Sequence, residues 1–378
     1  MNNDVVVIGG NHHNTLSLVR CFGGKGLNVI LLLETNSSNF VSCSKYVKKS
    51  FLCSNDNDIL SSLNILRNCH KEKLLIICAS DHSASLLDLY YGQLKDSFYI
   101  ANIKEKEGEL TAFMDKHTQT ELAEKCGFYV PKSWFYNKKI EEKLEFPCLL
   151  KPLESIHGGK KIRVCSSIEE LHLALKDFSI EDKILIQEFI EKESEIVLIG
   201  LAICHEVYIP GYSYKHREIN GGTTFSTIYP IKKINQNIVD AAEKYVKEIG
   251  YEGLFGIECI EKKGKYYFIE INLRNDATCY SIAKAGVNLP YIYWAICNNQ
   301  NYQKELTQKI EETTSMVEYS DIRNIIYRKV SVWQWLKDWK TSKCKYIYDP
   351  KDLKPFFMCW WLFVSHFVKK IIRIAICC

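Results

Sequence analysis

No Cys-x-x-Cys pair occurs in this chain and no Cys/His ladder stands at zinc spacing, although its 378 residues include 16 cysteines. Scattered thiols exclude a zinc-ribbon reading and a secreted disulfide scaffold, and they point to reduced cysteines acting as small core residues. A charge excess is missing too. Lys and Arg number 49 against 45 Asp and Glu, a net +4 that is too balanced for a dedicated nucleic-acid binder. No signal-like segment precedes the first strand, because Met1 to Asp4 is polar and Val5 to Ile8 is only four apolar residues. A cytoplasmic protein is therefore expected. There is no internal repeat and no low-complexity tract. With 47% hydrophobic and 25% charged residues, disorder is excluded as the main state, and the length suggests two or three domains.

What is present divides into three stretches. In the first, Asp4–Ile8 reads as a buried strand, residues 14–24 as a helix, and Leu27–Leu33 and Leu74–Ala79 as further strands. Strand, helix, strand at this spacing predicts a parallel sheet with helices on its faces. Gly9-Gly10 lacks the third glycine of a dinucleotide fingerprint, since His12, His13 and Asn14 take its place. The two histidines read as exposed loop residues, with substrate contact at the helix N-terminus as the alternative. Asp81 and His82 follow a strand, where α/β sheets place ligand contacts.

The middle stretch holds the chemistry. A helix opens at Asp115-Lys116, is capped by Gly127 and stopped by Pro131. A strand at 146–152 carries Lys151, a loop holds Gly158, Gly159 and Lys160, and residues 168–178 read as a helix. Strands follow at 184–190, 195–203 and 206–209, then a helix at 236–249 closed by Gly250. Phe255–Ile260 and Tyr266–Ile271 read as a hairpin across Lys262-Lys263-Gly264.

Glu270, Asn272 and Arg274 alternate along one strand and so share a face, and Glu258 lies across the hairpin on that face. Two carboxylates, an amide oxygen and an arginine there call for a divalent cation with a phosphate. A solvated face with a Glu–Arg pair is the competing reading. Lys116 and Lys151 suit phosphate oxygens, and the Gly158-Gly159-Lys160 loop can bring backbone N–H groups close to them. Gln187, Glu188, Phe189 and Ile190 offer an extended backbone for an adenine edge, and Glu195 can take ribose hydroxyls.

The order of these pieces resembles the ATP-grasp superfamily. MDKHTQTELAEKCGFYVPKSW (114–134), FPCLLKPLESIHGGKKIRV (146–164), ILIQEFIEKESEIV (184–197) and GLFGIECIEKKGKYYFIEINLRND (253–276) carry the resemblance. It implies a mixed α/β and α+β chain: a Rossmann-like pre-ATP-grasp domain over 1–105, an ATP-grasp domain over 106–320 with a lid subdomain near 130–190, and a helical tail over 321–378. It implies phosphate contacts from Lys116 and Lys151, a lid loop at Gly158 and Gly159, adenine held by Gln187 to Ile190, and ribose held by Glu195. It further implies Mg²⁺, or Mn²⁺, on Glu258, Glu270 and Asn272, with Arg274 stabilising the phosphoryl group in flight. The lid departs from the family in having two glycines where some members have four or five. No biotin-carboxylase-type C-terminal domain is evident, and the chain is far shorter than a full carbamoyl phosphate synthase; both argue against those two activities. The chain is similar to carboxylate–amine ligases such as D-aspartate ligase and predicted carboligases of envelope or capsule polymers, which work through an acyl phosphate. An ATP-grasp kinase and a non-catalytic nucleotide-binding scaffold are the alternatives.

The substrates are less legible. Tyr214–Glu218 and Asn220–Thr224 read as a charged loop in which Lys215 or Arg217 takes a substrate carboxylate, or as a plain basic hairpin tip. Five of seven tryptophans (Trp333, Trp335, Trp339, Trp360 and Trp361) lie in the last stretch. Residues 356–368 are thirteen mostly apolar positions, too short to span a bilayer, followed by Lys369, Lys370 and Arg373. A helix lying on the inner membrane face fits this pattern. Packing on the first domain, or a homodimer contact, is the alternative.

Overall fold

The computed structural model describes residues 3–35, 37–136, 144–152, 162–179 and 183–377, with backbone alone for 152 and 366–377. The glycine loop at Gly158, Gly159 and Lys160 lies outside the described residues.

The first sheet is parallel. Its strands are β1 (Asp4–Gly9), β2 (Asn28–Leu33), β3 (Val47–Leu52), β4 (Leu74–Cys78) and β5 (Phe98–Tyr99), in the order β3-β2-β1-β4-β5. The run of Val and Ile in β1 is buried on both faces, as helices on both sides of a parallel sheet require. Gly9 is obligatory: a Cβ there would lie 2.5 Å from the Thr15 hydroxyl and 2.7 Å from the Ala79 methyl. The short β6 (Asn102–Ile103) leads out of this unit and pairs with the large sheet described below.

A second, antiparallel sheet has β7 (Ser133–Phe135), β8 (Cys148–Pro152), β9 (Arg163–Cys165) and β10 (Ile184–Glu188) in the order β7-β10-β8-β9. Cys148, Leu150, Ile184 and Ile186 share one face and pack on Leu171 of the helix Ile168–Leu175. Lys151 and Gln187 occupy the other face, by register.

The third sheet is the largest. Its strands are β11 (Ser194–Ile203), β12 (Glu206–Ile219), β13 (Gly222–Pro230), β14 (Tyr251–Lys262), β15 (Lys265–Asn272), β16 (Thr313–Met316) and β17 (Cys344–Lys345), in the order β15-β14-β11-β12-β13-β16-β17. Strand β11 is central, and its side chains alternate between two cores: Ile196 and Leu198 go to one, Val197 and Ile199 to the other. The helix Gln236–Ile249 lies under the first, burying Ile238, Val239, Ala242, Tyr245, Val246 and Ile249 along one stripe. Asn235 caps its start and Gly250, at φ 66°, its end.

Three expectations change. Residues 214–219 are not loop but the second half of β12. Asn220 and Gly221 at φ 52° and 81° close a tight β12–β13 hairpin, the ordinary behaviour of an Asn-Gly pair. The tail is not wholly helical, because β17 joins the sheet parallel to β16 and Tyr346 and Ile347 enter the core. His13 is not a loop residue: it begins the helix His13–Gly23, is buried, and lies 3.1 Å from the Tyr319 hydroxyl. His12 caps that helix, its Nδ1 accepting from the Asn14 N–H.

Ten of the fourteen described cysteines are buried, and all fourteen are free thiols.

Candidate active site

The site lies between the second and third sheets. In the third, β14 and β15 set Glu258 directly opposite Glu270, and Gly256 opposite Asn272. Val197 of β11 opposes both Glu258 and Ser213 of β12. Because strand side chains alternate, Glu195, Lys215, Glu258, Glu270 and Asn272 all project from one face.

Like charges directly opposite each other destabilise a sheet. Neighbours settle how this pair is tolerated. Burial, and then the Glu270 and Asp276 charges, push the Glu258 carboxyl up to about 8. Burial acts upward on Glu270 as well, but the cations Lys116, Arg274 and Lys151 outweigh it and hold that carboxyl below its ordinary value. Lys116 reaches Glu270 at 2.7 Å. Asn272 donates to Glu258 at 3.1 Å and accepts from Arg274 at 3.1 Å.

Lys116 is positioned by its own helix, Lys116–Cys126. One turn on, Gln119 clamps the edge strand β15: its Oε1 accepts from the Ile271 N–H at 3.2 Å and its Nε2 donates to the Ile271 carbonyl at 3.3 Å. The clamp satisfies a buried strand edge and sets the helix N-terminus over Glu270. Sequence reasoning missed Gln119; its place one turn after Lys116 was the available signal.

From the second sheet, Lys151 donates to Gln187 Oε1 at 3.0 Å, and Gln187 donates to the Ser133 hydroxyl at 2.8 Å. Burial, and then the Lys116 charge, bring Lys151 down to about 8. Glu188 bonds Lys132 through both its N–H (2.8 Å) and its carboxylate (3.2 Å), which fixes the strand just before the segment expected to face adenine. Phe189 donates to the Pro147 carbonyl at 3.4 Å, and the Ile190 side chain is buried.

Glu195 accepts from Lys215 and, at 3.3 Å, from Lys192. Lys215 also donates to the Gly221 carbonyl at 2.8 Å, and its charge pulls against the rise of Glu258. Lys215 therefore stands beside the residue expected to hold ribose. Next to these groups is a cavity of about 340 Å³ lined by Lys192, Glu195, Lys215, Arg217, Glu218 and Lys329, among others.

Arg217 is engaged elsewhere. Its guanidinium forks onto Asp321 at 2.8 and 3.1 Å, reaches Asp338 at 2.6 Å, and lies over the Phe225 ring. Asp321 is fully buried and also takes the Thr224 hydroxyl. These bonds make Arg217 a strut between β12 and the C-terminal segment.

Arg274 joins the site to the first sheet, forking onto Asp81 at 2.7 and 3.2 Å. Asp81 begins the helix Asp81–Leu89 at the C-terminal edge of that sheet. Desolvation by burial of the ring, and then the Arg274 charge, lower the His12 pKa. Asp276, which sequence reasoning passed over, accepts from the Thr278 N–H at 2.8 Å and adds its charge beside Glu258.

Among the described residues no cluster of three or more His, Cys, Asp or Glu is arranged for a metal. The donor set of Glu258, Glu270 and the Asn272 amide nevertheless fits Mg²⁺, a hard cation held by one or two carboxylates plus substrate phosphates. A carboxylate raised to about 8 by burial, and then by its opposite neighbour, is the mark of a pair that a cation would relieve.

Comparison with known proteins agrees with this geometry. A family model described as ATP-grasp domain matches residues 121–287. The carbamoyl phosphate synthase large chain of Clostridium beijerinckii is 30% identical over 187 residues, 46% of this chain and 17% of its own length. The D-alanine–D-alanine ligase of Fusobacterium nucleatum is 30% identical over 168 residues, 42% of this chain and 55% of its own. This chain thus spans only part of the length of those relatives. Among solved structures, an L-amino acid ligase from Bacillus licheniformis superimposes with a TM-score of 0.62 at 14% identity, covering 83% of this chain and 79% of that one. The matched segment contains the Glu258, Glu270 and Asn272 hairpin with Arg274 two residues beyond its end, and residues 121–287 are thus similar to an ATP-grasp domain.

Proposed function

We propose that the protein is an ATP-dependent carboxylate–amine ligase, joining an amino acid or similar carboxylate to an amine in envelope or capsule synthesis. The supporting observation is the opposed Glu258–Glu270 pair, flanked by Lys116, Lys151 and Arg274. Relatives named as ligases of D-alanine and of L-amino acids support an amino-acid substrate. The proposal includes a division of the chain near residues 105 and 320.

A carboxylate is a poor acyl donor, since oxide would have to leave. In the proposed reaction a carboxylate oxygen attacks the γ-phosphorus of ATP and ADP departs. The amine then attacks the acyl carbon, phosphate leaves, and the amine nitrogen gives up a proton. Lys116, Lys151 and Arg274 are placed to neutralise the phosphoryl oxygens during transfer. Glu258, Glu270 and Asn272 would hold Mg²⁺, which supplies charge neutralisation on the phosphates. Glu195, with Lys215 and Lys192 against it, is assigned to the ribose. Lys215 is assigned to the phosphate side of the nucleotide and Arg217 to structure, and the carboxylate falls to Arg274 beside Asp81 and His12.

The test is an amino-acid screen for ADP release, followed by a carboxylate labelled with ¹⁸O. A ligase releases phosphate only when amine is present and moves one ¹⁸O into it. Phosphate retained on the substrate without amine would instead identify a kinase.

A further inference from the structure

The last part of the chain sorts its charges. Residues 321–378 contain four acids, Asp321, Asp338, Asp349 and Asp352, and all four are buried. Each holds a cation from the body of the protein: Arg217 takes the first two, Lys284 the third and Arg20 the fourth. The basic residues do the reverse: Arg328, Lys329, Lys337, Lys340, Lys351 and Lys354 are exposed, as is Lys343, which pairs with Glu311 from outside the segment. Among the described side chains, the outside of this segment carries positive charge only.

Apolar side chains collect on the same outside. Ten of the eighteen exposed large apolar residues fall between Ile326 and Val364. The helix Val332–Thr341 turns Val332, Trp333 and Leu336 outward, and Trp333 is 81% exposed. Ile326 and Tyr327 end the preceding helix Glu318–Ile326, also exposed. The C-terminal helix Lys354–Cys377 packs Cys359 inward and leaves Phe357, Trp361 and Val364 outside at i, i+4 and i+7. Trp339, Tyr348 and Phe356 form a ring chain between the two helices, with centroids 5.7 and 5.4 Å apart.

Exposed tryptophan and aliphatic side chains among an excess of cations are the composition of a face that lies in the headgroup region of a bilayer. A second copy of the chain is a poor occupant, because a two-fold contact would set cations against cations with no exposed acid of the segment between them. We propose that the outer face of residues 326–364 docks on an anionic membrane surface, its apolar side chains in the interface and its lysines and arginines on the headgroups. No helix among the described residues is long and apolar enough to cross a membrane, so the contact is peripheral. This proposal stands independently of the ligase reading.

The experiment is flotation of the full chain with vesicles of phosphatidylcholine, alone or mixed with phosphatidylglycerol. Binding is expected on the mixed vesicles, falling as salt is added. Lys337→Glu with Lys340→Glu should weaken it at least tenfold, since each cation near such a surface is worth roughly fivefold. Trp333→Ser with Leu336→Ser should weaken it at least tenfold too. Both pairs are exposed, so far-ultraviolet dichroism and ATP-analogue binding should match the parent. Absence of flotation at low salt overturns the proposal, as does equal binding by either double variant. Self-association of the parent that Trp333→Ser with Leu336→Ser removes, without flotation, would make a second copy the occupant instead.

Discussion

Glu258 and Glu270 face each other across a hairpin, and the groups that neutralise them decide what each can do. Glu270 already has Lys116 at 2.7 Å, whereas Glu258 has the Asn272 amide and is pushed up to about 8 by burial and by Glu270. A raised carboxyl favours its neutral form, so its contribution to metal-free stability is complete below the unfolded value of about 4.3 and is lost as pH rises through about 8. A cation needs the anionic form. Thermal stabilisation by added Mg²⁺ should therefore grow between about pH 6 and pH 9, and in Glu258→Gln it should be small and flat. A pH-independent increment in the parent would remove Glu258 from the ligand set. Glu270→Gln should lower turnover by about 10²-fold or more, because charge stabilisation in the transition state is lost. Its thermal midpoint should move little, since the loss of the pair with Lys116 is offset by relief of the repulsion between two opposed carboxylates. Residual activity above roughly a tenth of the parent's would sink that assignment.

The β12–β13 hairpin separates two cations that stand two residues apart. Lys215 sits against Glu195, the residue proposed to hold ribose, and Arg217 is locked between buried Asp321 and Asp338. Lys215→Ala should weaken ATP-analogue binding by about tenfold or more in calorimetry, the usual loss of a charge-assisted contact. Arg217→Ala should leave that affinity within about threefold but cost about 3–5 kcal/mol of stability, because two buried carboxylates lose their partner. The reverse pattern would return Arg217 to the substrate pocket. The sequence allowed the β14–β15 hairpin to be read because Glu270 and Asn272 follow the strand period and Lys263-Gly264 marks its turn; the same period expected Arg274 on that strand, but β15 ends at Asn272. The helix Gln236–Ile249 was legible because its apolar stripe ends in a glycine cap. The far half of β12 was not, because Lys215, His216 and Arg217 look like a solvated loop until Asp321 and Asp338 arrive from over a hundred residues away. Local pattern contains nothing of such pairing. The buried ends of β16 and β17 were hidden for the same reason, since each is a short piece whose partner is distant.

At the scale of the whole molecule, the site is completed by the parallel sheet at the other end of the sequence. Asp81 stands at that sheet's C-terminal edge and grips Arg274 through both oxygens, while Asn14 of the first helix donates to the carbonyls of Ala79 and Asn275 at 3.0 and 3.1 Å. The first unit thus aims the arginine that stands two residues past the end of β15. Asp81 is exposed, so the ion pair adds about 0–1 kcal/mol to stability and its value lies in orientation. Asp81→Asn should keep the thermal midpoint within a few degrees and ATP-analogue affinity within about threefold. Turnover should fall by about ten- to a hundredfold, the cost of a misplaced group at the reacting centre. Asp81→Glu, which keeps the charge, should recover part of it. Steady-state kinetics beside calorimetry separates the two effects. Unchanged turnover in Asp81→Asn would mean that Arg274 is held by Asn272 and the Asn275 carbonyl alone, and a large drop in the midpoint would make Asp81 an interface residue with no part in catalysis.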